Sequence, residues 1–271
     1  MENKYPYAKV HPEAKIGENV VIEPFSVVAK DVVVGDGTWI GSHAILMDGA
    51  RIGKNCKIFP GAVIAGAPQD LKFKGEASIA EIGDNTVVRE YATINRGTAA
   101  SGKLRTVIGS NCMIMSYVHV AHDCNVGNNV VLVSYVGLAG EVEVGDYAII
   151  GGGSMAHQFV RVGAHAMLAG GSLMTKDIPP YILAGHTPLS FFGVNRIGLR
   201  RRGFTDEQVN EIHDLYRIVY QNDLNITQAC EELSKLPASA VRDVVLGFIT
   251  SSKRGVIKST KQTTSEIEFE V

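Results

Sequence analysis

The segment Val118-His119-Val120-Ala121-His122-Asp123-Cys124 places two imidazoles three residues apart, with a carboxylate directly after the second. An imidazole titrates near neutral pH and can take a proton from a hydroxyl. An adjacent carboxylate can hold the ring in one orientation and stabilise its protonated form. His122 is therefore a candidate general base and Asp123 its orienting partner. A solvated polar corner would have the same spacing, and the segment alone leaves both readings open.

The surrounding sequence says what must position these groups. Aliphatic residues recur every six positions, at Val10, Ile16, Ile22, Val28, Val34, Ile40, Leu46, Ile52, Ile58 and Ile64. The phase returns at Ile82, Val88 and Ile94, then runs from Ile108 to Met174 with Ala156 as its one small member. Two residues before many of these stands a small or β-branched side chain (Ala14, Ser26, Thr38, Ala44, Cys56), and glycine often follows them (Gly17, Gly35, Gly41, Gly53). Neither the 3.6-residue helical period nor the two-residue period of an ordinary strand produces a strict six. Short strands joined by tight turns do, three hexapeptides to a triangular coil. The reading is a left-handed parallel β-helix, its coils stacked roughly 4.8 Å apart like neighbouring strands. A sandwich or barrel of short strands is the less economical alternative.

With eighteen residues per coil, His122 should stack on Gly140 and Gln158, and Asp123 on Glu141. Both His119 and His122 fall at outward phases, on the prism surface rather than in its core. A glycine beside a base can present its backbone N–H to a developing oxyanion without obstruction, although Gly140 could equally be a plain turn glycine. Two stretches break the phase, 65–76 and about 95–106. Both are polar and glycine-containing and should leave the prism as loops, where binding groups tend to sit.

Beyond Pro179-Pro180 the period becomes helical. Thr205-Asp-Glu-Gln208 reads as a capping box ahead of Val209, Ile212, Leu215, Tyr216 and Val219. Asn225 to Gln228 can cap a second helix through Leu233, and Ser239 can begin a third to about Ser251. The expected division is a β-helix over 1–189, a helical part over 190–257, and a disordered tail over 258–271, rich in Lys, Ser, Thr and Glu.

The net charge of −2 and pI of about 6.4 give no overall bias toward nucleic acid or an anionic membrane. The N-terminus lacks an apolar leader and no stretch reaches the length of a membrane span, so a cytoplasmic protein without stable membrane insertion is expected. The cysteines Cys56, Cys112, Cys124 and Cys230 form no Cys-x-x-Cys pair and no zinc spacing. The first three fall at small inward positions, as buried thiols. No metal is expected.

Seven strings, in order, carry a family resemblance: Pro68-Gln-Asp-Leu-Lys72, Ile94-Asn-Arg-Gly97, His119-Val-Ala-His-Asp123, Leu138-Ala-Gly140, Ala156-His-Gln-Phe159, Gly193-Val-Asn195 and Arg200-Arg-Arg-Gly-Phe204. Together they resemble the UDP-N-acetylglucosamine 3-O-acyltransferases, which catalyse the first step of lipid A synthesis. The resemblance spans about residues 8 to 257. Hexapeptides alone would indicate only a superfamily; the His-Asp, His-Gln-Phe and Arg-Arg-Gly-Phe strings are more specific.

The resemblance implies a homotrimer of parallel prisms with sites in the clefts between subunits. His122 would take the proton of the sugar 3-hydroxyl as it attacks a 3-hydroxyacyl thioester. The donor would be carried on the phosphopantetheine of acyl carrier protein, with no separate cofactor. Asp123 would orient His122, and the Gly140 N–H would stabilise the oxyanion. Asp70, Lys72, His119, His157 and Gln158 would contact sugar, diphosphate or acyl group. Asn195, Arg201 and Arg202 would serve the uridine diphosphate end. The basic residues Arg200, Arg201, Arg202, Lys253, Arg254 and Lys258, with Arg161 and Lys176, would suit an acidic carrier protein.

Two positions depart from the family pattern: Glu141 stands where a histidine usually follows Leu-Ala-Gly, and Ile197 where an acid is expected. Glu141 is expected near the acceptor, and if it stacks on Asp123 the two carboxylates would disfavour joint ionisation. A related N-acyltransferase carries an additional N-terminal uridine-binding domain, for which a prism starting near residue 8 leaves no room. Acetyl-CoA-dependent hexapeptide transferases lack this set of motifs. A zinc-dependent β-helix hydratase would need three histidines between coils. A noncatalytic scaffold would not need the His122-Asp123 pair.

Gly170 matches the family's acyl-chain ruler, and a glycine there leaves the groove open for a long chain. Gly170→Met is expected to shift donor preference toward shorter 3-hydroxyacyl groups in a competition assay; unchanged preference would remove Gly170 from that role.

Overall fold

The computed structural model describes residues 5–221 and 224–259. The six-residue phase becomes, among the described residues, three sheets of nine, eight and ten strands, parallel except for the last strand of the third, with strands of the prism pairing one coil before and one coil after. The chain visits the sheets in turn. Lys9–Val10 opens the first, Lys15–Ile16 the second and Val21–Ile22 the third. The register is eighteen residues wherever the coil is uninterrupted, as in Val27↔Ile45 and His119↔Gly137. The inward aliphatic positions are almost all buried, Ile40, Ile58, Ile114, Leu138 and Ile150 completely. Each contributes about 1.5–3 kcal/mol by leaving water.

The small inward position has a second task. Ser26 Oγ donates to Gly41 O at 2.9 Å, Thr38 Oγ1 to Gly53 O at 2.9 Å and Thr86 Oγ1 to Gly109 O at 2.8 Å. The thiols of Cys56, Cys112 and Cys124 lie 3.2, 3.1 and 3.1 Å from the carbonyls of Gly83, Gly127 and Ala139. Each of these side chains meets a turn carbonyl of the following coil, which would otherwise be poorly satisfied beside the core.

Both phase breaks leave the prism at one corner, between the first and second sheets. Val63 pairs with Thr93, thirty residues on, and Thr93 with His119, twenty-six on. The first loop, 67–78, and the second, 96–104, are bound to each other. Ala99 N–H donates to Glu76 Oε1 at 2.7 Å, and the Arg96 guanidinium lies 5.4 Å from the centre of the Phe73 ring.

The last coil is closed by a hairpin, Ile182–Gly185 with Ser190–Val194, antiparallel within the third sheet. The division expected at 189/190 falls inside this hairpin, so the sheet continues to Val194. Four helices follow: α1 (Arg196–Arg201), α2 (Asp206–Gln221), α3 (Ile226–Lys235) and α4 (Ala240–Thr250). The expected caps at Thr205, Asn225 and Ser239 all form. The six-residue α1 has too short a period to be read in advance. Buried Tyr216 of α2 donates to Pro180 O at 2.7 Å, and Tyr220 to Ile257 O at 3.0 Å, fixing the helices to the prism. Of the tail expected to be disordered, Lys258 and Ser259 pair with Phe191, and 260–271 lie outside the described residues. No described helix is long and apolar enough to cross a membrane.

Burial pushes up the thiols of Cys56 and Cys112, and that of Cys124 to about 12. Cys230, on α3, is half-exposed. A thiol reagent at pH 8 is expected to label Cys230 first, and the other three only after denaturant unfolds the coil, as checked by mass spectrometry of timed samples.

Candidate active site

The corner between the first two sheets carries His122 and Asp123 on one coil, Gly140 and Glu141 on the next, and Gln158 and Phe159 on the third. The stacking is as the period requires. Glu141 N–H donates to His122 O at 3.0 Å, and Phe159 N–H to Gly140 O at 3.2 Å. Asp123, Glu141 and Phe159 occupy the left-handed region, with φ of 61°, 62° and 65°. That conformation turns the chain sharply and directs side chains away from the core.

His122 and Asp123 lie outside the prism core, but not on an open surface as their phase suggested. His122 is 8% exposed and Asp123 fully buried. The two loops fold over this corner, which a count of coil residues does not reveal.

The contacts around Asp123 explain how a buried carboxylate is tolerated. Its Oδ1 accepts the Thr98 N–H at 2.9 Å, and its Oδ2 accepts the Thr98 hydroxyl at 2.7 Å. His122 Nδ1 lies 2.8 Å from Oδ2. The Asp123 N–H donates to Thr106 Oγ1 at 2.8 Å. Burial raises the carboxyl, but the Thr98 and His122 hydrogen bonds, with the Ser101 hydroxyl nearby, together outweigh it and hold Asp123 below its usual value. Asp123 is thus ionised at neutral pH and only accepts hydrogen bonds. His122 Nδ1 must then carry the proton of the shared bond, and in the neutral ring Nε2 presents a lone pair.

That Nε2 faces a space bounded by Asp70 and Gly140. Asp70 Oδ2 is 3.8 Å from it. A Cβ added at Gly140 would stand 2.5 Å from His122 Cε1 and 2.6 Å from Nε2. Only glycine lets the backbone lie this close to the ring. The Gly140 N–H donates to no group among the described residues.

Glu141 stacks one coil after Asp123, as the period requires. Its carboxylate is paired with Lys103 of the second loop at 3.8 Å. It lines a groove of about 710 Å³ with Lys103, Phe159, Arg161 and Lys253, on the side toward the C-terminal segment.

Other expected residues are distributed more widely. His119, on the same sheet face, shares a 2.8 Å hydrogen bond with the Thr93 hydroxyl, and burial lowers its pKa. Lys72 is exposed, and its backbone N–H donates to Asp70 Oδ1 at 3.0 Å. His157 and Gln158 are exposed. Gly170 is at another corner, between the third and first sheets, stacked on Gly152, whose carbonyl oxygen would lie 3.1 Å from an added Cβ.

Asn195 and Arg202 are at the remaining corner. Asn195 is buried as the N-cap of α1, accepting the Gly198 N–H and donating to His165 O. Arg202 lies 5.4 Å from the centre of the Tyr147 ring, with a buried Nη1 that has no hydrogen-bond partner among the described residues. Arg201 and Ile197 are exposed on α1. One chain therefore does not bring Gly170, His122 and Arg202 together.

Four relevant residues were not singled out from the sequence. Thr98 and Thr106 serve Asp123, with the Ser101 hydroxyl nearby, and the only signal for Thr98 is its place directly after the Ile94-Asn-Arg-Gly97 string. His165 stacks between Tyr147 and Tyr181 at ring separations of 4.9 and 5.6 Å. Burial, then the nearby Arg202 charge, lowers its pKa to about 4.

Comparison with known proteins gives the family. The family model described as UDP N-acetylglucosamine O-acyltransferase, domain 2, matches residues 177–257, and the bacterial transferase hexapeptide model matches 31–66 and 105–140. An acyl-[acyl-carrier-protein]–UDP-N-acetylglucosamine O-acyltransferase of Sulfurihydrogenibium sp. is 57% identical over 253 residues, 93% of each chain. The chain belongs to the UDP-N-acetylglucosamine O-acyltransferase family. A further member, from Chlorobaculum tepidum, is 58% identical over 93% of this chain and 95% of its own. Among solved structures of the family, the Bacteroides fragilis acyltransferase is 50% identical with a TM-score of 0.91, covering 94% of this chain and all of its own. The Francisella novicida acyltransferase is 40% identical with a TM-score of 0.92, over 95% of this chain and 94% of its own.

As a family member the chain is an acyltransferase, and its β-helix with a helical C-terminal part is the family fold.

Thr98→Val removes one donor to buried Asp123 and is expected to cost about 1.5–3 kcal/mol at pH 7. A carboxyl held below its usual value of about 3.9 stabilises the folded state above that pH. The stabilisation disappears as pH falls through the lowered value. Urea denaturation of wild type and Thr98→Val is therefore expected to show a gap at pH 7 that narrows below about pH 4.

Proposed function

We propose that this chain transfers a long 3-hydroxyacyl group from acyl carrier protein to the 3-hydroxyl of UDP-N-acetylglucosamine, the first step of lipid A synthesis. The observation that carries the mechanism is the 2.8 Å bond from His122 Nδ1 to Asp123, which leaves Nε2 open beside the Gly140 backbone. His122 Nε2 removes the hydroxyl proton as the sugar oxygen bonds to the thioester carbonyl carbon. The Gly140 N–H donates to the oxyanion of the tetrahedral intermediate. Collapse breaks the C–S bond, and the proton on His122 passes to the departing thiolate, so the ring returns neutral. Asp123 remains ionised and stabilises the imidazolium between the two transfers.

Asp70, Lys72, His119, His157 and Gln158 would surround the sugar, diphosphate and acyl group. Asn195, Arg201 and Arg202 would serve the uridine diphosphate, and the unpartnered Arg202 Nη1 suits an anionic oxygen. Gly170 would set acyl length. These groups occupy three corners of one prism, so a substrate touching all of them requires neighbouring chains. A homotrimer of parallel prisms meets that requirement. The apolar side chains exposed on and beside the first sheet, Ile45, Tyr117, Tyr135, Met155 and Leu173, would give such chains a surface to bury.

The acyl group arrives as a thioester on carrier protein and leaves it only in the transfer step, and a cytoplasmic setting suits both soluble substrates. Purified protein incubated with UDP-N-acetylglucosamine and a series of 3-hydroxyacyl carrier proteins is expected to form the 3-O-acyl product. His122→Ala should reduce kcat by about 10²–10⁴-fold. Equal rates would remove His122 from the mechanism, and no product with any donor would favour a noncatalytic scaffold. Gly140→Ala is not a clean probe of the oxyanion donor, because its Cβ would displace the His122 ring.

A further inference from the structure

The loop 96–104 carries Thr98, which holds the Asp123 carboxylate through its N–H and its hydroxyl. It has little core of its own. Ala99, Ala100, Gly102, Lys103 and Leu104 are exposed, and Gly102 turns with φ of 75°. Its position depends on anchors from other elements, and three of these are carboxylates. Asp123 takes Thr98, Glu76 of the first loop accepts the Ala99 N–H at 2.7 Å, and Glu141 of the next coil faces Lys103 Nζ at 3.8 Å.

Lys103 is also coupled inward. Its backbone N–H donates to Ser101 Oγ at 3.0 Å, and Ser101 Oγ in turn donates to Thr98 O at 3.1 Å. Drawing the ammonium toward Glu141 therefore draws the Ser101–Thr98 turn toward Asp123. A cleft of about 490 Å³, bordered by Gly102, Lys103, Asp123, Asn125 and Glu143, runs along the loop. Asp123 is fully buried despite it, and loosening the loop would admit water to the carboxylate. The neighbouring acid Glu143 is already paired with Arg161 at 3.5 Å. Glu141 is thus the acid bound to Lys103.

We propose that Glu141 is a positioning residue which, through Lys103, latches loop 96–104 over Asp123 and so fixes the orientation of His122. Its kinetic consequence rests on the reaction proposed above; its structural consequence does not. The pair is partly exposed and its strength modest, so the effect should be a few-fold rather than all-or-none, and salt-sensitive.

Two readouts test the latch in the full-length protein: hydrogen exchange of the Thr98 amide, which donates to Asp123, and acyl-transfer kinetics. Glu141→Gln is expected to speed Thr98 exchange about threefold while leaving the Val107 amide, bonded to Cys124 O, unchanged. It should lower kcat by a similar factor with little change in KM for the sugar nucleotide. High salt should move wild type toward the variant. The exchanged pair Glu141→Lys with Lys103→Glu should restore both readouts. Wild-type Thr98 exchange in Glu141→Gln, or no recovery in the exchanged pair, would overturn the latch. A change in KM alone would overturn it in favour of direct acceptor contact. Faster Thr98 exchange in a protein without acyltransferase activity would uphold the latch and sink the proposed reaction.

Discussion

Everything at the candidate site depends on the hydrogen bonds that stack one coil on the next. A coil of three short strands cannot bury its own faces or satisfy its own backbone. Stacking solves both problems only if each inward side chain meets its counterpart one coil away. The result is a rigid ruler along the prism, on which His122, Gly140 and Gln158 are held in one column. Precision at the site comes from this repeated register rather than from the tight turns that carry the residues.

The same register makes the two insertions informative. Both add residues at one corner without disturbing the inward phase, since Ile64, Ile94 and Val120 remain stacked on either side of them. The added chain cannot enter the core, so it covers the outside of the corner. There it converts an outward-facing His-Asp pair into a buried one. Thr98 of the second loop supplies two of the hydrogen bonds that make an ionised, buried Asp123 tolerable.

Burial and charge thus act in opposite directions on Asp123 and are reconciled by the loop. Desolvation alone would favour a neutral acid, which could not stabilise an imidazolium. The Thr98 N–H and hydroxyl, with the His122 ring, reverse that preference. The loop is held in turn by Glu76 and, through Lys103, by Glu141, one of the two residues that depart from the family pattern the sequence resembles. A substitution beside the base is therefore connected to it through a second-loop lysine rather than by direct contact.

The β-helix, the caps of three helices, the corner shared by His122, Gly140 and Gln158, and the two places where the chain leaves the prism were all legible in the sequence. These follow from local patterns: a strict period, glycine at turns, and capping residues next to apolar runs. The folded chain alone shows that both loops close over the base, that Thr98 and Thr106 serve Asp123, and that Glu141 turns to Lys103. It also separated Gly170 and Arg202 from His122 within one chain. The reason is physical: a repeat encodes where each residue stands on its coil, whereas loops are placed by contacts between side chains distant in sequence, for which no period exists.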